Sequence, residues 1–295
     1  MVSVLIPTFN EAGNILGCLQ SVSWADEIVV VDSCSTDATS ALASGFGARV
    51  VEFEWNGHLP KKKNWALGNI AWKNEWVLVL DADERITPAL AEEMDHVLSR
   101  TSLDGYYLNR RFTFMCRWIR HCGYYPSWNL RLFRHAKGRY ENLVDNDTRS
   151  GDNEVHEHVM LAGAPGFLRH DMLHLAYPDI FTWAEKHNRY SSWEAHVEVL
   201  GLPGFQESSG AAIRKRQLKA CCRQLPFRPA LRFIYHYFIR RGFLDGYEGY
   251  VLCRLLGMYE MLSVFKTQEL RVKRSSRNYA IAGPTRGAPV PIQRI

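Results

Sequence analysis

Residues 79–84 read Val-Leu-Asp-Ala-Asp-Glu, an apolar run that stops in carboxylates. Asp81 and Asp83 stand two residues apart where a buried strand ends, and two such charges are costly together unless a cation neutralises them. A hard divalent ion, held by one or two carboxylates and completed by diphosphate oxygens, meets that need. The plainer reading is that Asp83 and Glu84 cap the following turn, and acidic pairs of this kind recur by chance. Two more strand ends bear on the choice. Pro7-Thr8-Phe9-Asn10-Glu11 closes the apolar run from Val2, and Asp32-Ser33-Cys34-Ser35-Thr36-Asp37 closes a second from Glu27. Thr8 and its neighbouring backbone are placed to hold a nucleotide, and Asp32 to accept from a uracil N–H. Helix capping competes as the account of Asn10, Ser35 and Asp37. It does not cover Asp32, which precedes the capping segment.

The elements that must position these residues alternate strand and helix. Val2–Pro7, Glu27–Asp32, Arg49–Phe53 and Trp76–Leu80 read as strands, apolar on both faces as buried parallel strands require. Helices are expected from about Glu11 to Ser21, from the Ser35-Thr36-Asp37 cap to Gly45 or Gly47, and after Thr87-Pro88. That pattern is an open α/β sheet with ligands at the carboxyl ends of its strands. From Gly105 to about His174 it gives way to short aromatic strands and turns, the wall of an irregular pocket. Helical spacing resumes near Asp179 and runs to Cys222. Ala230–Arg241 and Tyr247–Lys266 then read as two amphipathic helices joined by Gly242–Gly246.

At 295 residues, 46% hydrophobic and 23% charged, the chain suits one catalytic core with an appendage. Its net charge of +5 conceals an asymmetry: residues 212–295 hold 17 Lys and Arg against 4 Asp and Glu, leaving 19 against 27 in the rest. A basic C-terminal part suggests a polyanionic partner, such as a membrane surface or a phosphorylated lipid. No nucleic-acid motif accompanies that charge, so nucleic acid is not expected. Seven cysteines without CxxC pairing read as reduced thiols in a cytosolic compartment. The first residues run straight into a strand with no basic region, unlike a signal peptide. No uncharged apolar stretch has the roughly 18 residues of a spanning helix.

Three segments together carry a family likeness. SVLIPTFNE (Ser3–Glu11), IVVVDSCSTD (Ile28–Asp37) and VLVLDAD (Val77–Asp83) resemble, in order and approximate spacing, the family 2 inverting glycosyltransferases of GT-A fold. The resemblance implies a Rossmann-like mixed sheet with helices on both faces. It implies a donor site of Pro7, Thr8, Asn10, Glu11, Asp32, Asp81 and Ala82, with Asp83 on a Mg2+ or Mn2+ that bridges the diphosphate of a nucleotide sugar. Lys63 stands where the family often has arginine facing the donor; it supplies charge without a bidentate fork. In the family a carboxylate after the donor half deprotonates the acceptor hydroxyl, and Glu157 of Val155-His156-Glu157 has that place, with Asp171 and Asp152 as substitutes. Histidines 156 and 158 also raise a zinc site, though without the i, i+4 pair of a helical zinc protease.

Trp128, Arg131, Arg134 and His156 are the expected acceptor contacts, the arginines suiting an acidic or phosphorylated group. A solvated strand edge is the alternative for those arginines. Glu185–Tyr190, Arg228–Tyr237 and Arg240–Gly246 resemble a narrower group, the lipopolysaccharide-core β-1,4-glucosyltransferases. That likeness implies UDP-glucose as donor, a lipid-linked saccharide as acceptor and a peripheral place on the cytoplasmic face of the inner membrane. Aromatics interleaved with arginine suit a helix in the headgroup region, or one whose apolar face packs on the catalytic part. The expected layout is a catalytic domain over 1–175 (donor half 1–104, acceptor half 105–175), a C-terminal amphipathic, membrane-associating helical region over 176–270, and a disordered tail over 271–295. A sugar-phosphate nucleotidyltransferase is weaker, since PTFNEAGN offers one glycine and no basic phosphate loop. A non-catalytic glycolipid adaptor would be expected to lose the carboxylates this chain keeps.

Overall fold

The computed structural model describes residues 1–141, 158–200 and 227–282. The strands are β1 (Ser3–Thr8), β2 (Glu27–Asp32), β3 (Arg49–Glu52), β4 (Trp76–Val79), β5 (Glu84–Arg85), β6 (Gly105–Phe114), β7 (Arg117–Trp118), β8 (Trp128–Arg134), β9 (Gly138–Tyr140), β10 (Val159–Leu161) and β11 (Pro165–Tyr177). Its helices are α1 (Ile15–Ser21), α2 (Thr39–Phe46), α3 (Lys62–Asn69), α4 (Pro88–Leu98), α5 (Ile180–Leu200), α6 (Arg228–Ile234) and α7 (Gly246–Ala282).

One sheet dominates, in the order β3-β2-β1-β4-β8-β6-β11-β5, with β7 on β6. The first four strands are parallel, β8 runs antiparallel to both β4 and β6, and β6 and β11 are parallel. The sheet is therefore mixed. β1 and β4 are buried throughout, which is why their sequences are apolar without alternation. One face packs α1, α2 and α4 around Ile15, Leu19, Ala43 and Met94; the other packs α3 with Phe53, Ala66 and Phe133. Only four residues separate β4 from β5, yet β5 pairs with β11 at the far end of the order. The sheet curls to allow it, and this closure carries β11 to the acidic bend.

Local chemistry explains most boundaries. Thr87 accepts the Leu90 N–H and Pro88 follows it, so α4 starts where the cap and proline place it. Gly47 takes φ +98°, the left-handed stop of α2. α1 begins at Ile15 rather than near Glu11, because the Glu11 carbonyl accepts from Asn14 and Ile15 while the Asn10 and Glu11 N–H groups are tied to Ser35, after β2, and to Thr39, which opens α2. β6 and β11 run ten and thirteen residues, longer than the short strands expected. Charged Arg110 and Arg111 interrupt the apolar pattern of β6 but find Glu84 and Asp171.

α5 and α7 pack on the ends of β6 and β11 through Phe112, Phe114, Ile119, Ala176, Trp183, Leu252 and Leu256. The apolar face of the C-terminal helices is thus in part a core. α6 stops at Ile234 and continues as a π turn over Tyr235–Ile239, where one helix to Arg241 was expected. α7 extends to Ala282, twelve residues into the stretch expected to be disordered. It lies along α5, where Lys266 donates to Asn188 and Arg271 meets Glu198 at 3.1 Å. Among the described residues, no helix is long and apolar enough to cross a membrane.

Candidate active site

The ends of β1, β2 and β4 lie side by side, since Thr8 is in register with Asp32 and Leu5 with Val79. At the end of β4 the chain turns sharply. The Asp81 carbonyl accepts the Glu84 N–H, and the Asp81 N–H donates to the Glu84 carboxylate at 3.0 Å. Glu84 is fully buried and accepts from Arg131 Nη2 at 2.8 Å, with Arg110 at 3.5 Å. Arg131 also holds Asp81, whose other oxygen lies 3.2 Å from Lys63 Nζ. Burial alone would raise the Asp81 carboxyl, but Arg131 and Lys63 hold it well below the usual carboxylate range. Arg131 is itself nearly buried and enclosed by carboxylates. It braces the acidic bend and is not open to bind an acceptor, contrary to the sequence expectation.

Asp83 meets a second pair of basic side chains, His174 Nε2 at 3.5 Å and Lys186 Nζ at 3.8 Å. Burial opposes its ionisation; His174 and then Lys186 outweigh burial and bring its pKa to about 2. The β5–β11 pairing puts His174 there, opposite Glu84, and the Leu175 N–H closes on the Asp83 carbonyl at 2.8 Å. Sequence reading missed both groups, because no local pattern links residue 83 to residues 174 and 186. Ala82 is buried between the two carboxylates.

Asp32 is satisfied differently. Its oxygens accept from Thr8 Oγ1 (2.9 Å), the Ser35 N–H (2.8 Å) and hydroxyl (2.5 Å), and Ser40 Oγ (2.9 Å). Burial pushes its pKa up, and the bonds from Ser35, Thr8 and Ser40 together bring it below the ordinary value. A base N–H reaches Asp32 only by displacing one of these hydroxyls. Thr8 is also engaged, its carbonyl accepting from the fully buried Lys62 at 2.7 Å. Pro7 is buried. Asn10 has φ +57° and laces the loops together: its N–H donates to Ser35 Oγ and its Oδ1 accepts from the Thr36 N–H. Glu11 donates its N–H to Thr39 Oγ1 and accepts from Asn14. Phe9 and Asn10 are the exposed part of this segment. Beside Asp32, where Phe53 donates to its carbonyl, Phe53, Trp65, His58 and Glu52 line a cavity of about 160 Å³, large enough for a pyrimidine ring.

Trp128 begins β8 at the ligand edge, opposite Asn109, and is exposed against Phe167. Arg134 ends β8 opposite Trp76, at the start of β4, where it pairs with Glu75 and Asp104. It therefore lies at the other edge of the sheet and does not join the site. Near Trp128 the cations are Arg110 and Arg111, which sequence reading did not single out. Asp171 is buried and accepts from Asn109 (2.7 Å), Arg111 (2.8 Å) and Tyr125 (3.1 Å). Glu157, His156 and Asp152 lie outside the described residues.

Among the described residues, no three metal-ligating side chains already converge. The groups still fit Mg2+ or Mn2+ as a partial site. Asp83 is ionised, Asp81 keeps a third of its side chain exposed, and the His174 Nδ1 is buried without a hydrogen-bond partner. Two carboxylates, completed by ligand oxygens, suit a hard cation.

The mixed α/β sheet thus brings three polar strand ends to one edge, beside an ionised Asp-Ala-Asp bend. Residues 3–151 match the family model described as Glycosyl transferase family 2, and the chain belongs to that family. It is 28% identical over 277 residues to a glycosyltransferase of Rickettsia felis, spanning 92% of this chain and 91% of that one. It is also 28% identical over 289 residues to the lipopolysaccharide core biosynthesis glycosyltransferase LpsC of Rhizobium meliloti, spanning 94% and 95%. Among solved structures, S. aureus TarS 1-349 is 15% identical with a TM-score of 0.41, over 86% of this chain and 90% of that one.

Proposed function

We propose that this glycosyltransferase moves a hexose, glucose from UDP-glucose first, onto a lipid-linked saccharide of the lipopolysaccharide-core type. Transfer inverts the anomeric centre and gives a β-linkage. The observation that carries the reading is the acidic bend, where Asp81 and Asp83 are ionised, paired with cations and set beside the Asp32 end of β2. Full-length similarity to LpsC supports the acceptor class.

In this reading the pyrimidine enters the cavity at Phe53 and Trp65, with Asp32 accepting its N–H and the Phe9-Asn10-Glu11 backbone beside the ribose. Asp83 and Asp81 would hold a Mg2+ or Mn2+, which would supply positive charge to the diphosphate leaving group. Lys63 leaves Asp81 for the diphosphate as the donor arrives, so part of its charge is exchanged rather than newly buried. Because the leaving group needs no proton, one base suffices. Glu157 removes the acceptor hydroxyl proton as the new bond forms, while Arg131 and Arg110 keep Glu84, and through it the bend, in place. The acceptor enters past Trp128, with Arg110 and Arg111 near acidic groups, and the enzyme works at the cytoplasmic face of the inner membrane.

The test is nucleotide release from a panel of nucleotide sugars with and without Mn2+. UDP release from UDP-glucose, stimulated by the metal, is expected. Diphosphate formation from NTP and sugar phosphate would replace this reading with a nucleotidyltransferase, and an α-linked product would overturn inversion.

A further inference from the structure

The C-terminal tip of the molecule breaks the usual distribution of side chains. Along the π turn, the 3-10 turn Gly242–Asp245 and the first residues of α7, Tyr235, Phe238, Ile239, Phe243, Leu244 and Tyr247 are between 46% and 69% exposed. Tyr235, Phe238 and Ile239 are three and four residues apart, so they share one side of the turn. Their neighbours Phe233 and Tyr237 stack on each other inside and give the tip a rigid aromatic base. Six large apolar side chains exposed within thirteen residues are more than the scattered exposure a surface ordinarily carries, and such a gathering suits an interaction site.

Charge at the tip identifies the occupant. Arg240 and Arg241 sit between the exposed aromatics, both exposed, and have no carboxylate partner among the described residues. The other charges of this region are used internally. Arg228 and Arg232 pair with Glu260, Glu248 pairs with Arg117, and Asp245 accepts from the Arg120 and His121 N–H groups. What remains outward is aliphatic, aromatic and positive. Tyr, Phe and Ile beside free guanidinium groups match a bilayer interface, where rings sit at headgroup depth and arginine meets phosphate.

We infer that the tip formed by Tyr235–Tyr247 is a monotopic anchor that inserts into an anionic lipid leaflet. The basic face of α6 is not the contact, since its Arg232 is turned inward on Glu260 and Tyr259. The anchor is joined to the active site. Cys122 donates its N–H to the Arg240 carbonyl, and His236 Nδ1 lies 2.7 Å from the Cys122 carbonyl. Three residues further, Tyr125 reaches Asp171 beside the proposed acceptor entrance. Insertion of the tip thus holds the acceptor side of the sheet close to the headgroups. The inference takes its purpose, though not its observations, from the lipid-linked acceptor proposed above.

Flotation of the full chain with phosphatidylcholine vesicles, with and without phosphatidylglycerol, tests it. The wild type is expected to float with the anionic vesicles. Combined Phe238→Ser, Ile239→Ser and Phe243→Ser should abolish flotation, and Arg240→Glu with Arg241→Glu should lower it roughly tenfold or more. Phe181→Ser, at an exposed apolar residue on α5, should leave it unchanged. UDP release from UDP-glucose, measured on the same samples, needs no bilayer and should match the wild type in every variant. Its loss from the wild type would strike the transferase reading and leave the anchor standing. A wild type that stays in the aqueous fraction, or a triple variant that still floats, overturns the anchor. So does a wild-type dimer that the triple variant dissociates, which would assign the surface to a second copy.

Discussion

The donor edge and the C-terminal lobe both bury ionisable groups, and they treat them in opposite ways. At the donor edge Asp81 and Asp83 are kept charged by Arg131, Lys63, His174 and Lys186. In the lobe, burial pulls His187 down to a pKa of about 4 and keeps it neutral, stacked 3.7 Å from Trp183. The difference follows from what each region has to meet. In the proposed function, a site for a diphosphate and a cation gains from charge already in place, because those charges are strengthened in a dry environment. The packing around His187 gains nothing from a charge and excludes it, whereas Glu260 in the same lobe keeps its charge because Arg232 and Arg228 are paired with it. The surfaces repeat the contrast, the lobe presenting apolar side chains to solvent where the donor edge presents polar ones.

The largest effect should come from taking charge out of the donor edge. Asp83→Ala is expected to lower transfer by roughly 10²–10³-fold, as for loss of one charge-stabilising group, and to weaken Mn2+-dependent donor binding measured by calorimetry. Near-wild-type turnover in a folded variant would remove Asp83 from the site. Next in size is Glu157→Gln, which keeps shape and removes basicity; transfer should drop roughly 10²-fold or more while donor affinity holds. Activity that survives this change but is lost in Asp171→Asn would move the base to Asp171.

Stability effects are smaller and separate the two regions. Arg131→Met leaves the buried Glu84 without its 2.8 Å partner, and urea denaturation should show a loss of about 3–5 kcal/mol. An unchanged midpoint would mean that the Arg131–Glu84 pair does not brace the bend. For His187 the sign runs the other way from that of a paired carboxylate. Its folded pKa is about 4 against an ordinary 6.5, so between those values the unfolded chain binds a proton that the folded chain does not. Stability therefore falls as pH drops through that window, by at most about 3 kcal/mol from this residue. His187→Gln should flatten the pH dependence of the midpoint over the same range; an identical slope in both proteins would exclude His187 as the cause.

Features that depend on neighbours in the chain were legible in the sequence. β2 runs from Glu27 to Asp32 as its apolar pattern indicates, and the Thr87-Pro88 signal sets the start of α4. The three strand ends meet because parallel order follows from alternating strands and helices. Features that depend on distant pairing were not legible. His174 and Lys186 reach Asp83 only through the β5–β11 register, and α3 occupies a stretch whose lysines gave no clear apolar face. The arginines of β8 illustrate the same limit. Arg131 sits where the β8–β6 register shifts between Leu130 and Leu132, so strand alternation does not run unbroken from it to Arg134. The antiparallel direction of β8, invisible in its own sequence, then sends Arg134 to the wrong edge.

The clasp of β5 on β11 also sets an order of events during synthesis. β1, β2 and β3 draw on the first 52 residues and can associate early, since short loops close at little entropic cost. Asp83 must wait for residues 173 and 174, some ninety positions later, before its bend is fastened. A nascent chain that has not yet reached β11 can brace Asp81 and Glu84 with Lys63 and Arg131, but Asp83 still lacks His174 and Lys186. Completion of the Asp83 side of the bend is then a late step of folding, coupled to the arrival of the strand that leads into the C-terminal lobe.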